Sequence, residues 1–116
     1  MAYNIGPKIG IDGEAEFRKQ IKEINLAYKT LQAETKAFTA EFEANGDDMG
    51  GLSAKGQQLE KMITNQRDKL KLLEDAVEKA TAQYGENSTE ATRLKGVMYD
   101  TAASVSDLEK QLKDTE

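Results

Sequence analysis

Cysteine and histidine are both missing from these 116 residues, tryptophan is missing as well, and proline occurs once, at Pro7. Without cysteine there are no disulfides, no zinc-thiolate sites and no thiol nucleophile, and the redox state of the compartment leaves no mark. Without imidazole, Ser-His triads, His-ligated metals and the Glu-x-x-His pattern of di-iron bundles are excluded. Aromatic residues make up 6% and apolar residues 38% of the chain, so any core is thin. The near absence of proline, together with abundant Ala, Leu, Glu, Lys and Gln, favours helix by propensity and predicts an all-α fold.

Basic charge is also in short supply. A net charge of −5 and a pI near 4.9 argue against a phosphate-binding face. The densest basic stretch, QRDKLKL with Arg67, Lys69 and Lys71, is interleaved with acids and reads as a solvated helix face. No apolar run approaches a membrane span, and MAYNIGPKIGIDG lacks the basic and apolar regions of a signal peptide. The expectation is a soluble chain made in a cytoplasm.

What the chain has in quantity is heptad spacing. Residues 1–12, with Gly6, Pro7 and Gly10 around Ile9 and Ile11, read as an extended lead-in. Asp12 offers an N-cap, and a first helix is expected over 13–45. Its seam runs through Phe17, Ile21, Ile24, Tyr28, Leu31, Thr35, Phe38 and Phe42 in alternating fours and threes. A glycine-rich loop follows at 46–52. A second helix over 53–84, capped by Ser53, carries Leu59, Ile63, Gln66, Leu70, Leu73, Val77, Ala80 and Tyr84. Gly85 ends it, a turn spans 85–88, and Asn87 or Ser88 caps a third helix over 89–116 with Ala91, Leu94, Met98, Thr101, Val105, Leu108 and Leu112 in its seam. Three helices of roughly 45 Å each, packed as an antiparallel hairpin, bundle or coiled coil, are the predicted architecture.

The seven-residue phase passes unbroken through both interruptions, so the segment around Gly46, Gly50 and Gly51 could be a loop or a straight joint in a rod. Those glycines and their polar neighbours cost a helix about 4 to 5 kcal/mol, which favours a loop in the chain on its own and a straightened joint only in an assembly.

Chemical motifs fall short. GLSAKG at 51–56 has phosphate-loop glycines, but Gln57 and Gln58 stand where Lys and Ser or Thr belong. NGDDMGG lacks the alternating oxygen ligands of a calcium loop. Glu74 and Glu78, one turn apart, read as a solvated pair. NST at Asn87 matches a glycosylation sequon by letters alone. We therefore expect no catalytic residue, cofactor, metal or nucleic-acid recognition, and a role carried by the helix seams.

GEAEFRKQIKEINLAYKTLQAETKAFTAEFE at 13–43 resembles the amino-terminal segment of tail tape measure proteins from long-tailed phages and prophages of Gram-positive bacteria. LSAKGQQLEKMITNQRDKLKLLEDAVEKATAQYGENSTEATRLK at 52–95 is similar to the coil that follows in that family. The likeness covers most of residues 9–116 and contains no chemically diagnostic residue. It implies a structural role inside a virion tail, with assembly in the host cytoplasm, self-association into a homo-oligomer, and contacts with tail tube, chaperone or tail-tip proteins. Family members are several times longer, so length determination would belong to a longer parent protein. The alternative is a cytoplasmic coiled-coil adaptor or secretion-related helical hairpin without any phage role.

Overall fold

The computed structural model describes residues 7–115 and contains three helices: α1 (Glu14–Ala44), α2 (Asp48–Tyr84) and α3 (Thr89–Asp114). Successive helices run antiparallel, so α1 and α3 point the same way along α2. The particle measures 56 × 23 × 18 Å. Its radius of gyration of 16.9 Å exceeds the value of about 13 Å expected for a globular chain of this length, so the bundle is elongated. The glycine-rich segment is bent, and a straight rod of three helices is excluded for the single chain.

α2 is the common support. Both α1 and α3 pack on it, whereas no Cα pair between α1 and α3 comes within 8 Å among the described residues. The reason lies in α2's sequence, which carries two adjacent stripes. One, with Leu59, Ile63, Leu73 and Ala80, follows the expected seam; the other, displaced by one residue, runs through Gln58, Met62, Lys69 and Ala76. A helix that serves two neighbours needs an apolar face wider than a two-in-seven stripe.

The bends are shorter than the sequence implies. Only Asn45, Gly46 and Asp47 separate α1 from α2, and Gly50, Gly51 and Leu52 lie inside α2's first turns rather than in a 46–52 loop. Asp47, not Ser53, caps the helix: its Oδ1 accepts the Gly50 amide at 2.9 Å. That cap supplies a partner for an otherwise orphaned amide and lets glycines start a helix that their propensity opposes. Asp12 does not cap α1 either; Gly13 holds that place with φ +72 and no side-chain cap. At the second bend, Gly85 ends α2 with φ +99, and Ser88 Oγ accepts the Ala91 amide at 3.1 Å.

The lead-in, of which residues 1–6 lie outside the described residues, has no helix or strand pairing from Lys8 to Ile11, and the chain turns at Gly10. Ile9 and Ile11 are buried with Phe17, Ile21, Leu73, Ala76, Ala80, Ala91 and Leu94 in one core cluster. Glu14 fastens it. The carboxylate accepts the amides of Ile9 at 2.7 Å and Gly10 at 2.6 Å, and the Arg18 Nε at 2.8 Å, while the Arg18 guanidinium also donates to the Pro7 carbonyl. From α2, the Tyr84 hydroxyl donates to the Ile9 carbonyl at 2.8 Å. Gly10 is required there: a Cβ would sit 2.6 Å from that hydroxyl, and φ is +79.

Burial alone pushes the Glu14 carboxyl up, but the Ile9 amide, the Arg18 guanidinium and the Gly10 amide outweigh it and hold the group at about 2 against 4.5 for a free glutamate. A carboxyl depressed on folding contributes stability that is complete above pH 4.5 and is lost as pH falls toward 2. Thermal melts should therefore show Glu14→Ala destabilised by about 1 to 3 kcal/mol at pH 7, with the difference from wild type shrinking as pH approaches 2.

Two helical glycines should respond in opposite directions. A Cβ at Gly50 would meet the Phe42 ring at 2.9 Å and the capping carboxylate of Asp47, whereas nothing lies within 4 Å of one at Gly96. In chemical denaturation, Gly96→Ala should gain about 0.5 to 1 kcal/mol, and Gly50→Ala should lose about 1 kcal/mol or more despite its better helix propensity.

Candidate functional site

The seam residues divide between two intramolecular clusters. At the lead-in end, Phe17, Ile21, Leu73 and Leu94 are buried together, with Val77 and Met98 packed against them. At the opposite end, Leu59, Ile63 and Leu108 form a second cluster with Tyr28, Leu31 and Leu112 at its margin. Val105 is buried, and Ile24, Leu70 and Phe42 are half-buried. Two of the expected positions face solvent: Phe38 is 39% exposed and Tyr84 is 40% exposed, the latter still tied to the lead-in through its hydroxyl.

Between α1 and α2 lies a polar layer. Asn65 Nδ2 donates to the Ile24 carbonyl at 3.1 Å, Gln66 Nε2 donates to Asn65 Oδ1 at 2.9 Å, and Lys69 Nζ donates to Asn25 Oδ1 at 2.8 Å. Lys69 corrects the reading of QRDKLKL as a solvated face. Arg67 and Lys71 are exposed, but Lys69 is among the most completely buried side chains of the molecule. It stands seven residues after Met62 and seven before Ala76 on the stripe turned toward α1, where its aliphatic stem packs and its ammonium reaches Asn25. Farther along the same stripe Gln58 is also buried, and its Nε2 has no hydrogen-bond partner among the described residues. Such groups stabilise little but restrict which register is tolerated, since a slipped register would strand them.

Sequence reasoning missed Met62, Lys69 and Ala76 as core residues. The signal was present, because Gln58, Met62, Asn65, Lys69, Leu72 and Ala76 follow one another by fours and threes. The lysine and the amides disguised it.

A groove of about 720 Å³ opens between α1 and α2, with Ile24, Ala27 and Leu72 in its floor and Glu23, Asp68, Lys71 and Asp75 at its rim. A smaller hollow of about 320 Å³ between α2 and α3 is crossed by the Arg67 to Glu109 ion pair. Glu74 and Glu78 are exposed on α2. No group of three or more acids among the described residues could hold a metal ion. None of their helices is long and apolar enough to cross a membrane.

Several large apolar side chains also face solvent. Leu26, Met49, Leu52 and Tyr99 join Phe38 as large hydrophobic side chains left in solvent. Phe38, Met49 and Leu52 belong to the closed end of the α1–α2 hairpin, which extends beyond α3: Thr115 lies beside Gly56 of α2. Comparison with family models, with curated proteins and with solved structures returns no match.

Burial lowers the Lys69 ammonium to about 8, from 10.5 in a free lysine. Because the folded value lies below the unfolded one, stability should rise as pH increases from 8 through 10.5. Melting curves of wild type and Lys69→Met across that range test this: the methionine variant should lack the rise and should be more stable at pH 7 by about 1 kcal/mol or more.

Proposed function

We propose that this chain is a structural assembly module, the amino-terminal part of a phage tail tape measure protein, acting through helix-to-helix self-association and contact with tail proteins. The observation that carries the reading is the set of large apolar side chains left in solvent on the α1–α2 hairpin, Leu26, Phe38, Met49 and Leu52, on a fold whose buried groups are spent on its own packing. The resemblance of residues 13–43 and 52–95 to tape measure segments supports the tail as the setting. In that setting the hairpin end meets tail tube, chaperone or tail-tip subunits during assembly in the host cytoplasm, and the module ends in the tail interior.

Mass spectrometry of tails purified from particles induced in the strain that carries the gene tests the setting. The chain, free or within a longer polypeptide, should be present at a fixed ratio to tube subunits, and deletion of residues 13–84 should abolish normal tails. Recovery only in cytosolic complexes without tail proteins, with normal tails after the deletion, would replace this reading by the adaptor.

A further inference from the structure

α1 has a second seam. Half a turn away from its packed face, Leu26, Thr30, Ala33, Ala37, Ala40 and Ala44 repeat the spacing of fours and threes, and all six are exposed. Leu26 keeps 58% of its surface in solvent. The outward face of α2 is built differently, from Lys61, Asp68, Lys71 and Glu78. A helix face that meets only water has no need of a two-in-seven apolar repeat, whereas a partner helix is what such a repeat accommodates.

The charges beside this seam name the partner. With Leu26, Ala33 and Ala40 as d positions and Thr30, Ala37 and Ala44 as a positions, Lys29 and Lys36 fall at g, and Glu34 and Glu41 fall at e. All four are exposed, and none takes part in an ion pair among the described residues. In a parallel pair of helices, g of one faces e five residues later on the other. Lys29 then meets Glu34 of a second copy, Lys36 meets its Glu41, and two-fold symmetry repeats both contacts. An antiparallel pair over the same stretch would instead set Lys36 against Lys36 and Glu34 against Glu34, and would match Lys29 only with Glu43, which also falls at g. The geometry points to a parallel, two-fold symmetric dimer of this chain in which the outer faces of two α1 helices pack together over residues 26–44.

The self-association part of the proposed function underlies this inference; the phage tail does not. Alanine at the contact lets the helix axes approach toward the short end of the 8 to 10 Å range. Because α1 is already held in helical form by α2, association carries no cost of ordering a helix. The seam is short and its side chains small, so the charges govern orientation and a large share of the affinity, and added salt weakens the dimer.

The natural absence of cysteine makes the test direct. Ala33→Cys and Ala37→Cys each place one thiol near the two-fold axis of the parallel dimer, and both should form disulfide dimers under mild oxidation much faster than Thr64→Cys on the outer face of α2. In sedimentation equilibrium, Lys29→Glu with Lys36→Glu should weaken association by roughly tenfold or more, since four attractions become four repulsions. Glu34→Lys with Glu41→Lys should do the same, and mixing the two charge-reversed proteins should restore a dimer. Circular dichroism of each variant checks that the helices persist. A wild-type chain that stays monomeric at every concentration, cross-linking at Ala33→Cys no faster than at Thr64→Cys, or association indifferent to charge reversal would overturn the inference. A dimer that is absent from tails would leave it standing and sink the tail setting; a monomer found in tails would do the reverse.

Discussion

Everything in this molecule depends on α2 serving two neighbours at once. A helix of 37 residues with a single narrow seam could hold one partner; this one carries two stripes a residue apart, and α1 and α3 settle on them without approaching each other closely. The stripes differ in character. Leucine, isoleucine and alanine dominate the one near α3, while the one near α1 mixes Met62 and Ala76 with Gln58, Asn65 and Lys69. The α1–α2 contact is thus the more polar, and part-buried hydrogen bonds from Asn65 and Lys69 define its register.

Much of the fold was legible because heptad spacing is a strong signal over thirty residues. Helix number, the glycine at the end of α2, Ser88 as one of two candidate caps and the buried Phe17, Ile21, Leu73, Leu94 and Leu108 follow from it directly. What escaped was decided by tertiary contact. Asp47 starts α2 early because one cap and the Phe42 ring over Gly50 and Gly51 offset poor helix propensity. Glu14 organises the whole lead-in, yet a carboxylate aimed back along the chain leaves no periodic trace in the sequence. Lys69 carries a charge, and its setting among Arg67, Asp68 and Lys71 reads as surface although the side chain is buried.

The surfaces were less legible than the core. The first α1 seam reads equally as a partner contact or as packing within the chain's own bundle; Phe17 and Ile21 are buried, and of its aromatic members Phe38 is the most exposed. The outer seam was hidden by its own composition, because alanine and threonine at exposed positions of a helix pass as ordinary helix formers until the charges on either side are read with them.

An odd number of antiparallel helices has a mechanical consequence. Pro7 lies at the end of the particle where Tyr84 closes on the lead-in, and Thr115 lies toward the other, beside Gly56. Tension applied between those points runs parallel to the helix axes, so α1 and α3 are pulled lengthwise along α2 and whole rows of contacts must yield together. A two-helix hairpin pulled at its ends would instead open one contact at a time. Between those two points the third helix turns a fold that would unzip into one loaded in shear.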